Sequence, residues 1–314
     1  MKKSSIVLGT WSWGIGAVGG DQVFGHHLDD GDLSHVFNKA MNYGLTGWDS
    51  AVVYGMGASE SILGNLIKNI RREDLYISTK FTPQIADETA EDPVADMLEG
   101  SLTRLGTDYV DMYWIHNPAD VEKWTPCLIP LVKSGKVRSV GVSNHNLAQI
   151  KRAAEILSEG NIRLSGVQNH FSLLYRESEE AGIIDYCKTH GIDFWSYMVL
   201  EQGAISGKYD TGHPMPPDSQ RGRTYNPMLS AIETLVGVMR SVGNTHGLTP
   251  AQVAISWAIS KGTTPIIGVT DICQVDELAG AAKVLLSIDE INRLEKAADS
   301  AGVNTRGAWE KPMI

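Results

Sequence analysis

An α/β fold, closed as a (β/α)8 TIM barrel with long loops at its C-terminal face, is predicted by three observations. Eight short apolar runs alternate with amphipathic stretches along the 314 residues. That alternation gives a parallel sheet, and eight βα units close it into a barrel. Polar residues gather where the apolar runs end, and this is the face on which barrel enzymes carry their active sites. A hydrophobic content of 42% supplies a core of the necessary size. One barrel domain over 1–314 is expected, with an open doubly wound sheet as the alternative architecture.

The eight strand candidates are, in order, IVLGT, LTGWD, LYISTK, YVDMYWIH, VRSVGVSN, LSGVQNH, DFWSYM and TPIIGV. Between them LSHVFNKAMNYG, SESILGNLIKNI, VADMLEGSLTRL and ESEEAGIIDYCKTHG carry the helical period. Several segments end in glycine (Gly44, Gly106, Gly135, Gly191), which tolerates the left-handed backbone past a helix end. Three excursions interrupt the pattern. GIGAVGGDQVFGHHLDDG follows the first strand, Glu201 to about Asn226 follows the seventh, and GVNTRGAWEKPMI closes the chain. A loop as long as the second is usually a functional lid or disordered.

Gly14, Gly16 and Gly19 spell GxGxxG after a strand. A dinucleotide fingerprint of this kind must open a helix directly. Here it runs into GDQVFGHHLDDGD, read as non-helical, and the next helix is expected near Asp32. The motif is therefore read as a flexible loop. His26 and His27 within it lack a third ligand nearby, so no metal is expected.

Lys and Arg number 27 against 37 Asp and Glu, a net charge of −10 that argues against nucleic acid or anionic membrane as partner. Cys127, Cys187 and Cys273 form no CxxC or zinc pattern. So sparse a set suits a reducing cytosol, and a cytoplasmic location is expected. The opening MKKSSIVLGTWSWGIGAVGG superficially resembles a signal peptide, but Trp11, Trp13 and the glycines break its apolar run. No apolar stretch reaches the roughly 18–20 residues of a membrane helix.

Four strand-end residues carry the chemistry: Asp49, Tyr54, Lys80 and His116. A free phenol, with a pKa of about 10, is a poor acid at neutral pH. A nearby lysine ammonium is expected to lower that value by about 1–3 units. Asp49 would keep the lysine charged, and a neutral His116 would orient a carbonyl oxygen. Such an acid contributes roughly 10²–10⁴ in rate. A carbonyl so polarised accepts hydride, which a nicotinamide supplies. Ser143, Asn144 and Gln168 are suited to its carboxamide, and Tyr197 to its ring. Taken singly, each residue also has a structural reading: a buried ion pair, a core tyrosine, a turn anchor, a helix cap.

The chain also resembles the aldo-keto reductases, from about residue 5 to residue 300. The matching motifs are LGTWSWG, GWDSAVVYGMGASE, YISTK, DMYWIH, GKVRSVGVSN, GVQNHFSLLYR, SYMVLEQGAISGKY and PIIGVTDICQVDEL. The resemblance implies a (β/α)8 barrel that binds its nicotinamide cofactor without a Rossmann domain. It makes Tyr54 the proton donor, with Asp49, Lys80 and His116 as partners. It places Ser143, Asn144 and Gln168 on the carboxamide and Tyr197 on the nicotinamide face. Gly268, Thr270 and Gln274 match the segment at the adenosine phosphate end, and Gly9, Thr10 and Trp11 the strand-one segment lining the site. A substrate pocket of Trp11, Trp13, Tyr54, Trp114 and His116, with Trp309 as a further candidate, is expected to take a small carbonyl or alcohol.

Two departures bear on the cofactor. The family implies NADP(H), yet no basic residue occurs between Lys261 and Lys283, whereas Asp271, Asp276 and Glu277 do. Acids there suit the ribose hydroxyl of NAD(H), with Arg221 and Arg223 as compensating cations for NADP(H). SYMVLEQG also replaces the usual aromatic-Ser-Pro-Leu. Two rival functions stay open: a lyase or aldolase forming a Schiff base on Lys80, and a cofactor-binding regulatory barrel.

Overall fold

The computed structural model describes residues 5–313. Met1 to Lys3, where the signal-like charges fall, lie outside them. Eight parallel strands close into a barrel in sequential order, with the eighth paired back to the first. They are β1 (Val7–Gly9), β2 (Gly47–Asp49), β3 (Tyr76–Phe81), β4 (Val110–Ile115), β5 (Val137–Ser143), β6 (Leu164–His170), β7 (Asp193–Tyr197) and β8 (Thr264–Gly268). All eight predicted strands are present, which disposes of the open-sheet alternative.

Helices Asp30–Asn42, Ala58–Ile67, Pro93–Leu105, Leu147–Glu159, Ile183–His190, Pro250–Ser260 and Ile272–Ala281 surround the strands. Side-chain caps start several of them. Asp29 accepts from the backbone N–H of Asp32 while Asp32 returns the bond, and Ser287 and Glu290 do the same for Ile288–Ala301. Gly106 and Gly191 end their helices with φ of 64° and 63°, as the glycine positions predict. The segment read as one helix from Glu177 breaks at Gly182, whose φ of 71° separates Glu177–Glu180 from Ile183–His190.

The core has two compartments. The larger fills the space between strands and helices. The smaller plugs the barrel itself with Val7, Met112, Trp114, Trp195 and Ile266. Trp114 lies over a floor of two glycines. A Cβ on Gly141 would come within 2.3 Å of its ring and one on Gly166 within 2.7 Å. Only glycine on β5 and β6 admits an indole at this depth.

The loop after β1 contains a helix that was not anticipated, Gly20–Phe24, stopped by Gly25 with φ of 76°. The following helix starts at Asp30, two residues before the expected point. The excursion after β7 is ordered by a 3-10 turn at Glu201–Gly203 and a helix over Gln220–Tyr225. It meets the first loop where the Arg221 guanidinium lies 5.5 Å from the Phe24 ring. Among the described residues no helix is long and apolar enough to cross a membrane.

Candidate active site

A cavity of about 1240 Å³ opens at the carboxyl ends of the strands. It exceeds the roughly 300–1,000 Å³ of an ordinary small-molecule pocket, leaving room for a dinucleotide beside a second molecule. Asp49, Tyr54, His116, Ser143, Asn144, Gln168 and Tyr197 line it.

Beneath this wall lies an ion pair. Lys80 is fully buried, and its Nζ donates to Asp49 Oδ2 at 2.5 Å and to the Ser50 carbonyl at 2.7 Å. Burial opposes the ammonium charge, but Asp49 and Tyr54 outweigh it and raise the Lys80 pKa. Asp49 also accepts from Ser78 Oγ at 2.5 Å and Gln168 Nε2 at 3.2 Å. Lys80 Nζ lies 4.9 Å from the centroid of the Tyr54 ring. The expected lowering of the phenol pKa does not result. Burial raises it, and the Lys80 ammonium offsets that only in part. Tyr54 is consequently held protonated, with a cation placed to receive its anion.

The His116 pKa is pushed well below the usual imidazole value, first by burial and then by Lys80. The ring is neutral. Its Nδ1 lies 2.9 Å from Thr82 Oγ1. When Thr82 donates this bond, the imidazole proton resides on Nε2, the tautomer that offers a donor to an oxygen. The rings of Tyr54 and His116 meet edge to face, with centroids 6.1 Å apart. Ser78 and Thr82, which contact Asp49 and His116, were not anticipated from the sequence. Both sit two residues from Lys80, so strand alternation was the available signal.

Asn144 adopts φ of 62°, a conformation asparagine tolerates. This lets Nδ2 donate to the His116 carbonyl at 2.9 Å while Oδ1 accepts from the Tyr197 hydroxyl at 2.5 Å. Backbone geometry thus joins the Tyr54–His116 side to the aromatic wall. Gly9, Gly268, Thr270 and Gln274 also line the cavity. Gln274 Oε1 accepts from the Thr270 N–H at 2.7 Å and holds that loop in shape.

Three expected lining residues lie elsewhere. Thr10 is buried below the floor, its hydroxyl donating to the Asp49 carbonyl and accepting from Ser59. Trp13 is fully buried, donating its indole N–H to the Val269 carbonyl at 2.8 Å and packing on Trp48. Trp114 belongs to the barrel plug. Strand alternation correctly turned it inward, but its depth removes it from the mouth. Trp11 does line the cavity, stacked 6.0 Å from Tyr54 and meeting Phe24 and Trp309 edge to face. Phe24 was not anticipated, because no periodic pattern marks its loop.

Charge around the far end is mixed. Lys208, Arg221 and Arg240 line the cavity, as do Asp271 and Glu277. Asp276 does not. It pairs with Lys39 at 2.6 Å and accepts from the Tyr43 hydroxyl at 2.8 Å. Arg223 is absent from the lining and donates to the Asp218 carbonyl. Arg221 Nε, Gln202 Oε1 and His26 Nδ1 are buried at the cavity without hydrogen-bond partners. Unpaired polar groups in such a place fit a polar ligand. His26 has a lowered pKa, from burial and then Arg221, and among the described residues no cluster suits a metal ion.

Comparison with known proteins agrees with this architecture. The model of the aldo/keto reductase family matches residues 5–299. The NADP(+)-designated aldo-keto reductase yakc of Schizosaccharomyces pombe is 29% identical, covering 92% of this chain and 89% of that protein. The chloroplastic pyridoxal reductase of Arabidopsis thaliana is 31% identical over 94% and 83%. Among solved structures, the thermostable aldo-keto reductase Tm1743, complexed with epalrestat, superposes with a TM-score of 0.74 at 25% identity over 94% and 95%. An NADPH complex of an aldo-keto reductase from Klebsiella pneumoniae gives 0.72 at 25% identity over 93% and 90%. Eight parallel strands, a strand-end Asp–Lys pair beneath a tyrosine and this full-length match lead to one conclusion: the chain belongs to the aldo/keto reductase family, enzymes that reduce carbonyls with NAD(P)H.

Proposed function

We propose that this protein reduces an aldehyde or ketone to the alcohol with Tyr54 as proton donor. The observation that carries the assignment is the buried Lys80–Asp49 pair beside a phenol and a neutral imidazole on one cavity wall. His116 donates a hydrogen bond to the carbonyl oxygen and fixes it against Tyr54. When bound, a nicotinamide cofactor supplies hydride to the carbonyl carbon. Tyr54 passes its proton to the oxygen, Lys80 stabilises the phenolate that remains, and solvent reprotonates it. Ser143, Asn144 and Gln168 orient the carboxamide, and Tyr197 backs the ring.

For the cofactor we favour NADP(H). The S. pombe relative is named for it and the K. pneumoniae relative was solved with NADPH. Lys208, Arg221 and Arg240 supply the positive charge that the segment after β8 lacks. NAD(H) is the second reading, favoured by Asp271 and Glu277 on the same cavity. Titration with each cofactor separates them. A preference for NADH assigns cofactor choice to those acids.

A Schiff base on Lys80 needs a neutral amine, which the pairing with Asp49 opposes. The three unpaired cysteines suit the cytoplasm. Tyr54→Phe is expected to keep cofactor binding and lower kcat by about 10²–10⁴. Retention of most activity would remove Tyr54 from the donor role.

A further inference from the structure

At the edge of the site three buried ionisable groups meet from distant parts of the chain. His170, Glu201 and Glu310 each have a fully buried side chain. His170 ends β6, Glu201 follows β7, and Glu310 lies in the tail after Ile288–Ala301. The imidazole bridges the two carboxylates, with Nε2 3.0 Å from Glu201 Oε1 and Nδ1 3.1 Å from Glu310 Oε1.

Both carboxylates have their remaining acceptor sites filled. Glu201 accepts from Ser172, from Tyr225 at 2.7 Å and from Thr305 at 2.9 Å. Glu310 accepts from the Gly307 N–H at 2.8 Å, and its Oε1 lies 2.5 Å from the Tyr197 hydroxyl, whose one proton it shares with Asn144 Oδ1. Tyr175 stacks on one side of His170, with ring centroids 4.2 Å apart. Burial opposes protonation of His170, but Glu201 and Glu310 outweigh it and hold its pKa raised to about 10.

Fully satisfied buried networks of this kind rigidify what they join. A simple anchor for a tail does not need one, since apolar side chains would avoid the desolvation of three charges. What the network adds here is direction. Glu310 fixes the hydroxyl of Tyr197, which also bonds to Asn144. The adjacent Trp309 places its indole N–H 3.4 Å from the same hydroxyl and its ring against Trp11. Met313, buried near Asn169, secures the far side.

We propose that Glu310 is a positioning residue for hydride transfer: clamped by His170, it sets the Tyr197 ring on the cofactor side and Trp309 on the substrate side of the cavity. This rests on the reductase reading above. The tail thereby becomes part of the reaction geometry, and Trp309 becomes a residue that discriminates among substrates by their bulk.

The test compares full-length Glu310→Ala, Glu310→Gln and Trp309→Ala with the parent enzyme, using one bulky and one small aldehyde. Cofactor dissociation constants come from direct fluorescence titration, independent of turnover. Glu310→Ala is expected to lower kcat on the order of tenfold to a hundredfold. It should also increase the isotope effect with deuterated cofactor and weaken cofactor binding. Glu310→Gln keeps the shape and an acceptor for Tyr197, so it should recover part of the loss. Trp309→Ala should change KM for the bulky aldehyde more than for the small one and leave cofactor binding alone. Ser287→Ala, a helix cap away from the cavity, controls for lost stability and should leave kcat unchanged.

Parental kcat, isotope effect and cofactor affinity in folded Glu310→Ala would overturn the proposal. If that variant does not fold, the same parental values in Glu310→Gln would overturn it. Failure of the Tyr54 reading is separable: Tyr54→Phe would then be active while the Glu310 variants still changed cofactor binding.

Discussion

Asp49 receives three side-chain donors, from Lys80, Ser78 and Gln168, in a setting with almost no solvent. Removing the cation alone leaves a buried carboxylate with two neutral donors and no counter-charge. Lys80→Met is therefore expected to destabilise the protein by about 3–5 kcal/mol as well as to abolish reduction. The double variant Lys80→Met, Asp49→Asn should lose less than the sum of the single changes, which urea denaturation of the four proteins would establish. At this scale much was legible. Position 80 ends an apolar run, and 78 and 82 share its side of the strand by a period of two. The direction of the Tyr54 pKa was not legible, because it depends on how much burial opposes Lys80, and burial is a property of the folded cavity.

Strand and helix identities were readable from local patterns, whereas depth was not. Alternation says which residues of β4 face inward, but the stagger of neighbouring strands decides whether an inward residue reaches the mouth or the plug. Trp114 is the example: its partners across the register are Lys80 and Gly141, and it settles over β5 and β6. Gly166→Ala should force that indole to shift and cost about 1–3 kcal/mol, measured as a lower midpoint in chemical denaturation. Ser287→Ala removes the acceptor for the Glu290 N–H at the start of the last long helix. A loss of about 1 kcal/mol is expected there.

Across the whole molecule, the chain end and two strand ends are tied by His170. Neither Glu310 nor Glu201 announces this in the sequence, since the contacts span 140 and 31 residues with no local pattern to mark them. The tie has a pH signature. Because the folded imidazole titrates near 10 rather than near 6.5, its contribution to stability is complete below about 6.5. It then declines as pH rises, and is lost through about 10. The groups facing His170 are Glu201, Glu310 and the rings of Tyr175 and Tyr197. The thermal midpoint of the parent should therefore fall more steeply between pH 7 and 10 than that of His170→Gln. Parallel curves would mean that the imidazole is not held charged.

The eight tryptophans divide into two optical populations. Trp13, Trp48, Trp114, Trp124, Trp195 and Trp257 are sealed in the two core compartments, while Trp11 is half-buried and Trp309 is 39% exposed. A collisional quencher such as iodide meets only this last pair. Its Stern–Volmer slope is a gauge of the cavity mouth, insensitive to the remainder of the barrel. A molecule seated over Trp11 and Trp309 at the mouth would flatten that slope without undergoing any reaction, so occupancy can be followed for compounds the enzyme holds but does not turn over.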